Sequence, residues 1–180
     1  MVFTHGPSAH LPCLATRAGV GRITLGSGIV RFVQGGVVAD QFHMDEPWDR
    51  PHNIKLLDQM PEVYRSPNST HSNRTVYQAL VCEGAVMNGK KKGTSFQAIR
   101  DGSSNTILFV ETDDEVAQPW TKPVDLDFNP DNPMNGLGHM RAGGFQAVFC
   151  DGSTHFIPNT IQWKMLKWLV QINDGQNTRF

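Results

Sequence analysis

Few residues in this sequence carry charge, and no long apolar run occurs. Charged residues make up 18% of the chain, below the roughly 25% of an average globular protein. The formal net charge is −1, from 16 basic and 17 acidic residues, which excludes a strongly basic nucleic-acid-binding protein and an acidic disordered tail. Because no apolar run reaches the roughly 18 residues of a membrane-spanning helix, the sequence predicts no transmembrane segment.

Cysteine is scarce, with three residues at positions 13, 82 and 150. No Cys-x-x-Cys pair is present, which excludes a zinc knuckle and a dense disulfide framework. Cys150 follows alternating apolar residues, a pattern that favours a buried free thiol. The sequence does not decide whether Cys82 and Cys150 form a disulfide, because spacing does not fix the Cα separation that a disulfide requires.

The short motifs of common enzymes are also absent. The sequence contains no Gly-x-Ser-x-Gly, His-Glu-x-x-His, Gly-x-Gly-x-x-Gly or phosphate-binding loop motif. None of the seven histidines lies four residues from another, the spacing of a helical metal site. None of these motifs therefore points to catalysis.

The first 31 residues differ from the rest of the chain. Glycine and proline interrupt every candidate element there, and no basic start followed by an apolar stretch marks a signal peptide. We interpret residues 1–31 as unassigned, either non-native or disordered, and see no export signal in the chain as written. Residues 32–176 are expected to form a single globular domain.

A mixed α+β fold is predicted for this domain. Residues 75–81 are rich in β-forming side chains and indicate a strand. Two Asp-Gly pairs, at 101–102 and 151–152, lie between apolar segments and predict hairpins of an antiparallel sheet. A short helix is expected at 54–60, with Asn53 as its N-cap and Pro61 as its end.

The clearest helix in the sequence is the last element. Asn159 or Thr160 is expected to cap it, and the Asp-Gly pair at 174–175 to end it. Residues 118–144, which contain four prolines, are expected to form one long loop that is functional or disordered. The apolar positions of the last helix recur on one helical face and predict packing against the core: Ile161, Met165, Trp168, Leu169 and Ile172.

Oxygen-bearing side chains occupy alternate positions in residues 125–131. Asp125, Asp127, Asn129 and Asp131 suit convergence on one hard cation, so we consider a calcium site there. The spacing departs from an EF-hand, because Pro130 stands where that loop has its glycine. The alternative interpretation is a turn whose Asp and Asn side chains bond to the local backbone.

Two other groups of polar residues each have a functional and a structural interpretation. Asp45, Glu46, Asp49 and His52 suit acid–base chemistry or metal binding, or else they cap turns and charge the surface. The loop at 101–106 is rich in hydroxyl and amide groups, which either bond to their own backbone or contact a sugar.

Several short motifs occur in one order along the chain and together resemble a known family. They include Phe-His-Met-Asp-Glu-Pro-Trp-Asp at 42–49 and Ile-Arg-Asp-Gly-Ser-Ser-Asn-Thr-Ile-Leu at 99–108. Further matching segments lie at 51–53, 60–61, 64–65, 111, 119–123, 131–133, 143–145 and 151–153. The chain resembles, over about residues 32–176, the large prepilin-like family of uncharacterised proteins expanded in planctomycete-type bacteria, also labelled an extracellular solute-binding family.

The resemblance implies a pilin-like α+β fold, in which an N-terminal helix packs on an antiparallel sheet. It also implies placement in the cell envelope or outside the cell, without established catalysis. Three departures from the family are visible. The prepilin leader and apolar N-terminal helix are expected to be missing through a truncated or shifted start. Arg141 stands where the family has a histidine, nine residues before the Asp-Gly at 151–152, and Ser66 replaces a cysteine of many members, which removes a family disulfide.

Three functions follow as hypotheses. The first is a non-enzymatic pilin-like or pseudopilin-like protein of the cell envelope or exterior that acts by assembly or binding. The alternative is an extracellular solute-binding module for carbohydrate, with Trp48, Asp101, Asn105 and Trp120 lining a shallow site. The third is a metal-dependent hydrolase built on residues 45–52. If the family helix normally covers one sheet face, this head exposes an apolar patch and is expected to self-associate.

Overall fold

The structure is a computed structural model that describes residues 38–43, 45–89 and 94–176. The interpretation of residues 1–31 and the thiol of Cys13 lie outside the described residues. Within the described ranges the chain forms strands β1 (Arg74–Thr75), β2 (Tyr77–Val81), β3 (Ile107–Glu111), β4 (Gln118–Pro119), β5 (Leu126–Asp127), β6 (Gly144–Phe149) and β7 (Thr154–Pro158), and helix α1 (Trp163–Val170).

Five strands form the main sheet in the order β5-β2-β3-β6-β7. The pairs β2–β3, β3–β6 and β6–β7 are antiparallel, and the short edge strand β5 runs parallel to β2. Strands β1 and β4 form a separate two-stranded antiparallel sheet. The fold is therefore mixed α+β with mostly antiparallel pairing, as the sequence predicted.

Helix α1 packs against one face of the main sheet, which we call the covered face. Side chains alternate between the two faces of a strand, and most of those on the covered face are buried. Phe145, Phe149 and Ile157 are 0% exposed and cluster with Leu166 and Leu169 of α1. Because fully burying each such side chain contributes roughly 1.5–3 kcal/mol, this cluster is the main hydrophobic core.

The opposite face of the main sheet, which we call the open face, is also rich in apolar and aromatic side chains. Phe109 of β3 lies opposite Val148 of β6, and both are half-buried. Tyr77 and Phe156 are 37% and 43% exposed. An antiparallel sheet commonly has one polar, solvated face, and this face departs from that pattern. Its residues are Tyr77, Ala79, Phe109, Glu111, Gln146, Val148, Thr154 and Phe156.

One of the two predicted hairpins is present. The Asp-Gly pair at 151–152 joins β6 to β7, and Gly152 has a φ of 87°. The prediction of a hairpin at 101–102 is wrong, because the preceding residues Phe96–Ala98 form a 3-10 turn instead of a strand. The backbone amides of Arg100 and Asp101 donate to the carbonyl oxygen of Ile172. Pairing with the distant C-terminal segment thus replaces the expected local pairing.

The short helix expected at 54–60 is a 3-10 helix, Asn53–Gln59. The residue that precedes it is His52, whose side chain makes no capping hydrogen bond. The prediction that Asn53 is the N-cap is therefore wrong. The Asn53 side chain is 0% exposed and bonds instead to the backbone of His43, Glu46 and Pro47 in the preceding loop.

Helix α1 is shorter than predicted and starts later. Gln162 precedes its first residue, so the predicted caps Asn159 and Thr160 are wrong, and the Asn159 amide donates to the carbonyl oxygen of Gly138 instead. The helix has eight residues. A membrane-spanning helix needs about 20 apolar residues, and no helix in the described ranges meets that requirement.

Residues 118–144 are not a single irregular loop. They contain β4 and β5, and β5 extends the main sheet beside β2. Phe128 and Leu137 are 6% and 1% exposed and belong to the main hydrophobic core. The expectation that this segment is one long loop is therefore wrong, because apolar burial orders it on the sheet.

Cys82 and Cys150 are free thiols and half-buried. The disulfide that spacing left open is therefore not formed between them. Burial raises the pKa of Cys82, and burial together with the charge of Asp151 raises the pKa of Cys150 to about 12. Because the thiolate is the nucleophilic form of cysteine, these two environments oppose covalent chemistry at neutral pH.

Candidate functional site

A groove on the open face is the candidate functional site. It has a volume of about 550 Å³, within the roughly 300–1,000 Å³ of ligand pockets in proteins. Side chains of β2, β3, β6 and β7 form its floor, and β1, β4 and the segments 63–64 and 122–125 form its walls. Four neighbouring strands span roughly 14 Å, so the groove extends across most of the main sheet.

The walls of the groove are largely apolar and aromatic. Val63 and Trp120 both line the groove, but Val63 is 47% exposed whereas Trp120 is only 3% exposed. The ring of Tyr64 stacks on Trp120 with centroids 5.8 Å apart, and burial raises the pKa of Tyr64 well above its usual range. These contacts fix the wall in place, because aromatic pairs are bulky and restricted in their packing geometry.

An ion pair lies at the end of the groove floor. The Glu111 side chain is 0% exposed and the Arg141 side chain is 32% exposed. Arg141 donates through Nε to Oε2 of Glu111 and through Nη2 to Oε1 at 3.0 Å. Ser66 Oγ donates to the same Oε1 at 2.8 Å. This bidentate pairing compensates the cost of burying the Glu111 carboxylate.

Tyr77 completes this end of the groove. Burial and the nearby charge of Glu111 raise the pKa of Tyr77, so its phenol stays neutral at physiological pH. The sequence singled out Glu111 and Arg141 only through the family resemblance, and Arg141 only as a departure from the family histidine. Its role here is to neutralise a buried carboxylate, a pairing that no local pattern in the sequence indicates.

Asp113 and His139 form a second acid–base pair near the first. Asp113 follows Glu111 by two residues, and His139 precedes Arg141 by two residues. Oδ2 of Asp113 is 2.7 Å from Nδ1 of His139. Oδ1 of Asp113 accepts hydrogen bonds from the backbone amides of His139 and Met140, at 2.6 and 3.2 Å. Asp113 is 3% exposed. The hydrogen bonds of Asp113 therefore hold the loop that carries Arg141 against the end of β3.

The Asp113–His139 pair predicts a pH dependence of stability. The hydrogen bond and charge of Asp113 raise the pKa of His139, so the folded state favours protonated His139. The stabilisation is complete below the usual histidine pKa of about 6.5 and is lost as the pH rises through the raised value. We expect the difference in urea midpoint between the native chain and His139→Gln to be larger at about pH 5.5 than at about pH 9.

The control for this prediction is direct titration of His139 by NMR in the native chain and in Asp113→Asn. We expect the substitution to lower the pKa of His139, because the hydrogen bond and charge of Asp113 are its main causes of elevation. Parallel stability curves for the native chain and His139→Gln over this pH range would contradict the prediction.

No protein-family model, curated protein or solved structure matches the chain. The likeness to the prepilin-like family therefore stays a prediction from its motifs. In the structure, several motif side chains hold turns together. Asp101 accepts hydrogen bonds from the amides of Asp174 and Gly175 at 2.7 and 3.0 Å, and Asp151 accepts one from the amide of Ser153 at 2.9 Å.

Of the four residues predicted to form a carbohydrate site, only Trp120 lines the groove. Its indole Nε1 donates to the carbonyl oxygen of Leu57 at 2.9 Å, and its burial leaves no ring face for a sugar. Trp48 packs in the same cluster behind the wall. Asp101 and Asn105 precede the start of β3 and bond to each other through Asn105 Nδ2 and the Asp101 carbonyl, whereas the groove lies at the far end of that strand.

The predicted calcium ligands point to different partners. Oδ1 of Asp125 accepts a hydrogen bond from the amide of Ala79 at 3.0 Å, and Oδ1 of Asn129 accepts one from the amide of Asp131 at 2.9 Å. Asp127 is exposed on β5. No three His, Cys, Asp or Glu side chains of the described residues lie close enough to hold a metal ion. The calcium site stays a prediction that this geometry does not support.

Residues 45–52 form a surface turn. The imidazole rings of His43 and His52 stack with centroids 3.6 Å apart, and Nδ1 of His43 is 3.6 Å from Oε1 of Glu46. Asp45 and Asp49 are exposed, and the absence of a metal-binding cluster in the described ranges includes these residues. The acid–base or metal site and the alternative of capping and surface charge both stay predictions for this segment.

Proposed function

We propose that this chain is the globular head of a non-enzymatic, pilin-like or pseudopilin-like protein of the cell envelope or exterior, which acts by assembly. The observation that supports the proposal is the apolar groove on the open face. In the assembly, the groove receives an apolar helix of a partner subunit. The family motifs point to the same class of protein.

The physical reason is that a sheet with apolar side chains on both faces needs a layer packed on each. Helix α1 provides one layer. An α-helix with its side chains is about 10–12 Å across, which fits a groove that crosses roughly 14 Å of sheet. No observation in the described residues favours the carbohydrate-binding module or the metal-dependent hydrolase over this function.

A charge at the edge of the groove is expected to block this assembly. The probe is a fluorescein-labelled synthetic helical peptide of about 14 residues with one apolar face, and binding is measured by fluorescence anisotropy. Val63→Asp is expected to weaken binding at least about tenfold, because the bound helix would desolvate the new carboxylate.

The matched control is Ile54→Asp. Ile54 is 43% exposed, close to the 47% of Val63, but it does not line the groove. We expect this variant to bind within about twofold of the native chain and both variants to keep its melting temperature, since exposed substitutions have small effects. Absence of peptide binding by the native chain, or equal binding by Val63→Asp, would count against the proposed function.

A further inference from the structure

The ionic side chains of the groove are arranged with the carboxylates beneath and the cations toward solvent. The Glu111 side chain is 0% exposed, whereas that of its partner Arg141 is 32% exposed. Asp125 also lines the groove, but its Oδ2 is buried and its Oδ1 accepts the amide of Ala79. The half-buried Lys122 lines the groove as well.

The two cations keep hydrogen-bonding capacity toward the groove. Nε and Nη2 of Arg141 donate to Glu111. Within the described ranges, no hydrogen bond uses Nη1 of Arg141. Lys122 donates through Nζ to Oε1 of Gln118 at 3.0 Å, and its ammonium has three donors in all. An occupant of the groove therefore meets two charged donors beside neutral ones such as the amide of Gln146, although the groove contains equal numbers of acidic and basic side chains.

We propose that the groove selects an apolar helix that carries an acidic side chain, Asp or Glu, placed against Arg141 and Lys122. This inference rests on the proposed function, because it specifies the partner helix of the same groove. Charge complementarity across an interface provides discrimination between partners more than total affinity. The apolar floor and walls hold the helix, and the two cations select among apolar helices.

An acidic side chain also suits the positions of these groups physically. A carboxylate over Arg141 would share a guanidinium that Glu111 already orients, so little side-chain entropy is lost on binding. A basic side chain at the same place would meet the two cations, while the Glu111 carboxylate that neutralises Arg141 is buried. A neutral amide oxygen would still accept from the charged donors, but without the attraction between opposite charges that a carboxylate adds.

The test uses three matched peptides of the kind described above, which differ only in one central residue on the apolar face: Glu, Gln or Lys. Binding to the native chain is measured by fluorescence anisotropy at low and high salt. We expect the Glu peptide to bind about fivefold tighter than the Gln peptide at low salt, the Lys peptide to bind most weakly, and the differences to shrink at high salt.

Lys122→Gln provides the second measurement. It is expected to reduce the preference for the Glu peptide over the Gln peptide to about twofold, whereas Lys55→Gln, an exposed lysine that does not line the groove, is expected to leave the preference unchanged. Arg141 is kept, because its removal would leave Glu111 buried without a counter-charge.

The outcomes separate the two proposals. Equal affinities of the Glu and Gln peptides would overturn the inference and leave assembly through the groove intact. An unchanged preference in Lys122→Gln would also overturn it. If none of the three peptides binds, the proposed function itself fails, and this inference fails with it.

Discussion

Replacing Arg141 with methionine is expected to lower the free energy of unfolding by about 3 kcal/mol. The substitution keeps most of the side-chain volume but removes both hydrogen bonds to the Glu111 carboxylate. Glu111 is 0% exposed at its side chain, so water cannot replace the lost partner without a local opening. Urea denaturation followed by tryptophan fluorescence measures the effect.

Two controls separate the loss of charge pairing from the loss of an arginine. The double variant Glu111→Gln with Arg141→Met is expected to regain more than about half of the lost stability, because no uncompensated charge is then buried. Arg65→Met removes an exposed arginine and is expected to change stability by less than about 0.5 kcal/mol. A loss below about 1 kcal/mol for Arg141→Met would show that the pair behaves as a surface ion pair.

Replacing Asn53 with alanine is expected to lower the free energy of unfolding by about 2–3 kcal/mol. The Asn53 side chain accepts the amide of His43 at 3.0 Å and donates to the carbonyl oxygens of His43, Glu46 and Pro47 at 2.9, 3.4 and 3.1 Å. Because Asn53 is 0% exposed, its removal leaves backbone groups of the loop without a partner in a buried place.

The expected change is local as well as global. Hydrogen exchange measured by mass spectrometry should show lost protection in the segment around His43. The amides of β6 and β7 should stay protected except through global unfolding. The matched control is Asn68→Ala, an exposed asparagine in a turn, which is expected to cost less than about 0.5 kcal/mol. Native-like protection around His43 in Asn53→Ala would contradict the bracing role of this side chain.

The parts of the fold that depend on neighbouring residues could be predicted from the sequence. The hairpin at 151–152 needs only a two-residue turn between adjacent strands, and the periodicity of residues 161–172 indicates a helix. The hairpin at 101–102 and the N-cap role of Asn53 were wrong for the same reason. At both places the hydrogen bond is made to a residue that the local pattern does not indicate. The amides of Arg100 and Asp101 donate to the carbonyl oxygen of Ile172, and the Asn53 side chain accepts the amide of His43.

The candidate site could not be predicted, because it depends on the order and register of the strands. Phe109 and Val148 share the open face only because β3 and β6 are neighbours in one register, and a shift by one residue would move each to the other face. Glu111 and Arg141 are 30 residues apart in the sequence. The sequence led to the hypothesis that Trp48 and Trp120 stack on a sugar. Trp120 is buried by tertiary packing, which composition does not indicate.

The measurement that tests the assembly function most directly is fractionation of the cells that produce the protein, followed by immunoblotting and size analysis of each fraction. We expect the protein in the envelope or the medium, in assemblies much larger than a 20.0 kDa chain, and we expect Val63→Asp to shift it out of those assemblies while Ile54→Asp does not. A monomer in the cytosol, unchanged by Val63→Asp, would contradict assembly through the groove.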